Sequence, residues 1–468
     1  MLFTQLSFLL FFALVLAGNW LTRRWHRLNN LFLLGVSWFF FAYWSLTDLT
    51  IFLAILLVNY PLVWCAGRLS SMSARKSAAI AALVVSLGML LFFKYTNFLG
   101  GTLEQVLLSF SIVWKPPALA LGIPLAISFY TFHIISLVFD VLDRKVAVPG
   151  PLSYALYLSF FPHVIAGPIV RAGEIVPDID QHPRRRPVDL TRGFQDFLLG
   201  FFFKAVIGDQ LADAINPFWT ATAAASMTAA DAWCVAFMYS CQIFADFAGY
   251  SWMAMGLARG LGFRFPENFN APYLATTFRT FWHRWHMTLS RFLADYLYIK
   301  ALGGNRGGPR RTYINLAATM VLGGLWHGAA WTFVVWGCIH GASLAVERYF
   351  ALDGRKPKSN FARVAWAGVV QLAVLIAWVF FRAPDTRCAR HIVMRMFTLS
   401  DGLTISGTGL AAALLLTIPV IAYHLGKALG PLRRLEESPT VRGVLSGVMA
   451  SIVFVMPHIP QGFIYFVF

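Results

Sequence analysis

The sequence predicts an all-α integral membrane protein, and three observations carry that expectation. Hydrophobic residues make up 58% of the 468-residue chain and charged residues only 13%, where soluble domains run near a quarter charged. Mean hydropathy is +0.64. Apolar stretches long enough to span a bilayer recur from one end to the other, with no long polar block between them. At about 20 residues per crossing they predict about 10–12 transmembrane helices, read as one polytopic membrane domain over residues 1–468.

The first candidate span covers 2–18. No basic residue precedes its apolar run and no small-residue cleavage site follows, so a retained span is expected rather than a cleaved leader. Arg23, Arg24 and Arg27 come next; the positive-inside rule then puts that loop in the cytoplasm and the N-terminus outside. Spans at 31–45 and 47–64 follow, and Arg68, Arg75 and Lys76 mark a second cytoplasmic loop before the span at 77–95. Lys115-Pro116-Pro117 breaks the pattern ahead of 118–139, where residues 122–133 mix polar, aromatic and apolar side chains. That mixture suits a helix facing the bundle interior. The stretch 152–169 is interrupted by Pro162, Gly167 and Pro168, which imply broken helix; irregular backbone at membrane depth must be buried or line a cavity.

Residues 172–192 read as a polar loop, with Arg184-Arg185-Arg186 as a headgroup or topology anchor. The span at 194–216 carries Lys204 and Asp209. The span at 230–257 carries Asp246, an intramembrane acid that should face a cavity or pair with a base. Residues 266–273 form a turn-rich connector and 276–299 a long amphipathic stretch. The glycine-rich 303–309 is a hinge or turn, since it lacks the lysine and spacing of a phosphate-binding loop. Spans at 313–323 and 329–346 lead to a basic loop at 353–363. Spans at 364–381, 407–425 and 443–457 finish the chain, separated by basic or mixed loops at 382–395 and 433–442.

The formal charge of +17 resides mostly in loop arginines. Scattered between spans, these suit topology and anionic headgroups, so the bilayer is the expected partner and nucleic acid is not. The cysteines Cys65, Cys234, Cys241, Cys338 and Cys388 form no CxxC pair, which argues against a disulfide framework or a thiolate metal site.

Two tryptophan–histidine pairs set in apolar sequence carry the chemistry: Trp285-His286 within 281–290 and Trp326-His327 within 322–331. An imidazole at membrane depth is costly unless it has partners or work to do, and it can take and return a proton near neutral pH. On one continuous helix Trp282 and His286 would share a face, and His283 and His286 would be neighbours. Three readings stay open for His283, His286 and His327: metal ligation, imidazoles bonded to backbone carbonyls, and acid–base work. No carboxylate or thiolate completes a ligand set, so no metal is expected and acid–base work is taken forward. Gly323, Gly324 and Gly328 around His327 let backbone or ligand approach closely. Arg279 and Arg284 stay protonated and suit anchoring. His340 has a weaker case. His133 and His163 could line the same cavity, though satisfied internal residues are the favoured reading.

These motifs together resemble the membrane-bound O-acyltransferases (MBOAT), in particular the bacterial alginate O-acetylation and teichoic-acid D-alanylation branch. The matching stretches are 122–132, 167–171, 246–251, 262–269, 281–290, 295–299 and 325–328, within a motif core of about 122–341. Met287-Thr288, Trp252, Ala294 and Lys300-Ala301 depart from the usual pattern. The resemblance implies a ring of helices around a thin centre with a through-membrane tunnel. It implies His327 as the catalytic histidine and His286 as the second motif histidine. Trp282, Arg284, Trp326, Asp246 and Asn268 are then expected to line the tunnel or support the histidines.

The C-terminal stretch 462–468, Gly-Phe-Ile-Tyr-Phe-Val-Phe, is similar to a terminal motif of this branch or its small partners, in which the tyrosine carries the acyl group outward. That implies Tyr465 as an acyl relay; an aromatic interface anchor is the other reading. The resemblance implies an O-acetyltransferase of the bacterial inner membrane, multi-pass, with no bound cofactor. It would draw on a cytoplasmic thioester donor such as acetyl-CoA and pass the acetyl group to a periplasmic polysaccharide acetyltransferase protein, for an exopolysaccharide such as alginate. Two alternatives stand beside it: a proton-coupled transporter without covalent chemistry, and an MBOAT acylating a lipid or another cell-wall polymer.

Overall fold

Helix accounts for 79% of the computed structural model. It describes residues 1–117, 119, 122–165, 167–350, 352, 360–398, 402, 407–429, 438–456 and 462, and no strand occurs among them. Three helices among the described residues are long and apolar enough to cross a bilayer: Leu46–Arg68, Met72–Ser109 and Phe361–Arg382. Only 33%, 22% and 33% of their most apolar windows is buried inside the protein. Leu57, Val84 and Phe361 point outward while Asn59 and Ser86 are buried. Water would not tolerate so much apolar surface; lipid does. Leu6–Thr22, Ile127–Leu142, Ala413–Ala428 and Pro439–Val455 are shorter apolar helices. The all-α membrane architecture expected from the sequence is therefore present. The chain divides into two compact units, Met1–Phe194 with Ala254–Pro266 and Gln195–Met253 with Glu267–Phe468.

The first unit begins with helices Leu6–Thr22, His26–Trp44, Leu46–Arg68 and Met72–Ser109. The third and fourth start where Ser45 Oγ accepts from Asp48 N at 3.1 Å and Ser71 Oγ from Ala74 N at 3.5 Å, meeting amide groups that a helix start leaves unpaired. Phe41 and Phe52 stack at 4.7 Å and join successive helices. Arg75, expected to mark a cytoplasmic loop, is buried. Its Nε donates to Ala66 O at 2.8 Å and its Nη2 to Leu142 O at 3.0 Å, so a cation closes the C-terminal ends of two helices.

Two expectations for this unit need correction. Residues 172–192 are not merely loop: Ala172–Asp180 is helical, its start held by Arg171 N donating to Glu174 Oε2 at 2.9 Å, with Ile175, Val176 and Ile179 buried. Arg186 is not a headgroup anchor. It is buried, donating to Asn29 Oδ1 at 2.9 Å, Asn30 Oδ1 at 2.8 Å and Asp178 O at 2.8 Å, with the Phe263 ring 4.6 Å from its guanidinium carbon. Charge density alone does not reveal that one arginine of three turns inward. The interior reading of 122–133 holds from Ile127 onward, where most of the helix is buried. The broken segment also behaves as expected: helices Pro151–Ser159 and Phe161–Val164 are short and largely buried, and Gly167 sits at φ 147°.

In the second unit the span at 194–216 is interrupted by a π-helical turn, Phe202–Gly208, which carries Lys204. Lys204 Nζ lies 2.5 Å from both Asp209 Oδ1 and Asp246 Oδ1, and all three side chains are buried. Asp246 therefore pairs with a base, one of the two roles its sequence context allowed. A Cβ at Gly200 would collide with Gly249 O; small residues here let two backbones touch, as membrane helices do. The stretch 382–395 is not a loop. Thr386–Met396 is a helix capped by Asp385, whose Oδ1 accepts from Cys388 N at 2.8 Å, with Cys388, Ala389, Ile392 and Met396 buried. Residues 353–359 of the expected basic loop and 433–437 of the next lie outside the described residues, and helices start at Asn360 and Pro439.

The most consequential correction concerns 276–299. It is not one amphipathic helix. Phe278–Trp282 ends at His283, a new helix Met287–Phe292 starts after His286, and Leu293–Ala301 continues with π-helical turns. His286 itself has φ 41° and ψ 54°, a left-handed conformation that is rare outside glycine. Trp282 and His286 therefore do not share a helical face, and His283 and His286 part company: His283 is exposed and His286 buried.

Candidate active site

The turn that carries His286 is held from a distance by Asn268. Met287 N donates to Asn268 O at 2.9 Å. Asn268 Oδ1 accepts from Thr288 Oγ1 at 2.9 Å and Thr288 N at 3.3 Å, and lies 3.1 Å from His286 Nδ1. On its other side Asn268 Nδ2 donates to Ser251 Oγ at 3.2 Å. This network fixes a proton. The Thr288 amide can only donate, so the Asn268 atom facing it is the carbonyl oxygen. An oxygen cannot donate to Nδ1, so Nδ1 carries a hydrogen, and in the neutral ring the lone pair is on Nε2. Among the described residues nothing bonds His286 Nε2, which is buried. The Phe247 ring, at 4.6 Å, meets the imidazole face to edge. The arrangement leaves Nε2 as the nitrogen available to a substrate.

His327 is the last residue of helix Gly308–His327. Its imidazole is 4% exposed, within an aromatic wall of Trp326, Trp336 and Phe381 at ring distances of 4.9, 5.2 and 5.1 Å. The negative end of the helix dipole lies where an imidazolium would form. The glycines beside it serve helix packing. A Cβ at Gly324 would strike Phe333 O, and one at Gly337, on helix Trp331–Tyr349, would lie 2.6 Å from Met320 O. Gly324 thus takes the backbone-approach role expected of these glycines, while Gly323 and Gly328 face the side chains of Leu293 and Phe333.

Trp326 links the two histidines. Its ring is 4.9 Å from His327 and 6.5 Å from His286. Trp282 lies within the same cluster, 5.7 Å from Trp336 and 5.0 Å from His340. Sequence reasoning undervalued His340, which is buried against Trp336 at 4.8 Å. It also missed Glu347, whose carboxylate accepts from Phe278 N at 2.6 Å and Arg279 N at 2.9 Å and so caps the helix that bears Trp282. A buried acid near the end of an apolar span was the available signal.

The remaining expected residues fall as follows. Arg284 donates from Nη1 to Ala271 O at 3.4 Å, and its own carbonyl accepts from Asn270 N at 2.9 Å. It braces the connector, consistent with an anchoring role. Asp246 is engaged by Lys204. Tyr465 lies outside the described residues. His283, His286 and His327 form no ligand set, and among the described residues no three His, Cys, Asp or Glu side chains come together around a common point. His133 and His163 belong to the other unit, ring to ring at 4.7 Å. Both are buried, against each other and beside Tyr157.

The profile of "MBOAT, membrane-bound O-acyltransferase family" matches residues 2–383. The chain belongs to the membrane-bound O-acyltransferase family. It is similar to the probable alginate O-acetylase AlgI of Azotobacter vinelandii, 39% identical over 412 residues, covering 85% of this chain and 80% of that protein. It is similar also to the peptidoglycan O-acetyltransferase of Helicobacter pylori, 34% identical over 79% of this chain and 74% of the relative. The teichoic acid D-alanyltransferase of Bacillus subtilis is more distant, 28% identical over 55% of this chain. The chain is thus an acyltransferase, and the reading as a carrier without covalent chemistry gives way to it.

Proposed function

We propose that this MBOAT protein moves an acetyl group from a cytoplasmic thioester, acetyl-CoA, across the bacterial inner membrane for O-acetylation of an exopolysaccharide such as alginate. The names of its closely matching relatives support the acetyl group and the polysaccharide acceptor. The observation that carries the reading is the pair of buried imidazoles, His286 and His327, both near the ring of Trp326.

In the proposed step His327 is the general base. As the acceptor oxygen bonds to the thioester carbonyl carbon, the acceptor proton passes to His327 and the carbonyl π pair moves to oxygen. Collapse re-forms the carbonyl and breaks the carbon–sulfur bond, and the departing sulfur takes the proton back. His286 Nε2, which can only accept, orients the acceptor by sharing its hydroxyl proton with His327 before transfer, with Asn268 as its positioning residue. Trp282 and Trp326 exclude water, while Arg284 and the Asp246–Lys204 pair hold the scaffold.

The whole chain acts as one polytopic membrane domain. The phenol of Tyr465 accepts the acyl group at the outer face, and a periplasmic polysaccharide acetyltransferase receives it. An aryl ester lies between a thioester and an alkyl ester in reactivity, so the relay divides one transfer into two easier ones.

The test is His327→Ala in cells. Polysaccharide acetylation should fall by about 10³-fold at normal protein level; acetylation that persists refutes the base assignment. Tyr465→Phe examines the relay separately, and full acetylation there reduces the tail to an anchor.

A further inference from the structure

A cluster of buried nitrogen atoms beside His327 has no use in the scheme above. His340, Trp282 and Trp336 are 1%, 8% and 1% exposed. Their rings form a closed triangle of contacts, 5.0, 4.8 and 5.7 Å apart. Neither nitrogen of His340 and neither indole Nε1 bonds any described residue. Buried polar groups in proteins are almost always hydrogen-bonded, and an indole N–H can only donate. Three such groups in one apolar cluster would be strongly destabilising unless a polar partner meets them. The cluster borders the proposed base, because Trp336 is 5.2 Å from His327 on one side and 4.8 Å from His340 on the other.

We propose that His340, with the indole N–H groups of Trp282 and Trp336, forms the hydrogen-bonding subsite for the carbonyl oxygen of the acyl thioester. This rests on the acyl-transfer reading above and adds the group that reading lacks. The matching ligand is one that only accepts hydrogen bonds and gains negative charge during reaction. A thioester carbonyl does both. Its oxygen takes the π pair when the acceptor oxygen attacks, and fixed donors in a water-poor pocket stabilise that charge most effectively. The bond changes are those already given: carbon–oxygen forms, carbon–sulfur breaks, and the acceptor proton travels by way of His327 to the leaving sulfur. His340 donates through one nitrogen and exchanges no proton.

The test uses the purified full-length protein in lipid nanodiscs with acetyl-CoA as donor, measuring acetyl transfer, thermal unfolding and ligand binding. His340→Phe keeps the ring stack and removes both nitrogens. It should melt at or above the wild-type temperature, because an unmet buried polar group has gone, while transfer falls by about 10²-fold or more. Trp336→Phe should act in the same sense. The binding arm compares CoA with acetonyl-CoA, a thioether ketone that keeps the carbonyl and cannot be cleaved. Wild type should prefer the ketone, and His340→Phe should lose that preference. Equal transfer by His340→Phe and wild type would overturn the subsite and leave an ordered water as the occupant. A large drop in its melting temperature would overturn it too, by making His340 a structural group. An active His327→Ala beside an impaired His340→Phe would refute the base assignment and still support the carbonyl subsite.

Discussion

Asn268 Oδ1 lies 3.1 Å from His286 Nδ1 and takes two further hydrogen bonds from Thr288. One amide oxygen thus holds a left-handed turn in place and selects the tautomer of the imidazole at its apex. A non-glycine residue in that conformation is strained by roughly 1–3 kcal/mol, and the three donors gathered on Asn268 offset it.

Asn268→Ala should therefore lower acetyl transfer by about 10²-fold, since misplacing a reacting group by about 1 Å has that effect. Asn268→Asp should retain more activity than Ala, because a carboxylate oxygen still accepts from His286 and Thr288 and only the donor to Ser251 is lost. Transfer assays on detergent-purified variants matched for monodispersity decide the matter. A wild-type rate for Asn268→Ala would remove Asn268 from the mechanism.

Lys204 sits between Asp209 and Asp246, 2.5 Å from each. Lys204→Met would leave two buried carboxylates without their shared cation. Breaking such an arrangement destabilises by about 3–5 kcal/mol. The triple variant Lys204→Met, Asp209→Asn, Asp246→Asn replaces every charge and should recover much of that loss. Thermal unfolding in detergent reads both, and a single Lys204→Met variant as stable as wild type would show that the carboxylates do not need the lysine.

The histidines were legible because an imidazole is conspicuous in apolar sequence, and the interior helix beginning at Ile127 because polar and aromatic residues mix there. What the sequence hid is long-range. Residues 276–299 keep an apolar rhythm on both sides of the break, since both sides are buried, and no glycine or proline marks 283–286. The bonds that allow the break come from Asn268, 18 residues upstream of His286. Asp246 finds Lys204 only once two backbones touch at Gly200 and Gly249. Arg186 reads as one of three surface arginines until Asn29 and Asn30, more than 150 positions earlier, turn it inward.

The helix hairpin behind His327 makes a sterically sharp case. A Cβ on Gly337 would stand 2.6 Å from Met320 O and 2.7 Å from Val321 Cα, both backbone atoms that cannot rotate aside. Gly337→Ala should lower stability by about 1–3 kcal/mol through overpacking, and should cut transfer because Trp336 and His327 are displaced together. Gly368→Ala serves as a control, since nothing stands within 4 Å of its Cβ. Equal melting temperatures for the two variants would mean that the hairpin can part without effect.

Glu347 supports the site from the opposite end of helix Trp331–Tyr349. The helix Phe278–Trp282 has 5 residues, too few to persist unaided, because helix nucleation is unfavourable and each later bond adds little. Its first amides are met by Glu347, at 2.6 Å from Phe278 N and 2.9 Å from Arg279 N, and by Thr277 Oγ1, at 3.0 Å from Thr280 N. A carboxylate there also complements the positive end of the helix dipole. Glu347→Gln leaves one accepting oxygen and turns an NH2 group toward an amide donor. The expected loss is about 1.5–3 kcal/mol, the range for a hydrogen bond to a charged group. Because the other end of this helix sets Trp282 against His340, the variant should also impair transfer in proportion to its fraying. Glu347→Asp, with a shorter reach, should fall between Gln and wild type if distance to the amides matters. Melting curves and transfer rates that are unchanged in Glu347→Gln would show that Thr277 alone suffices to start the helix.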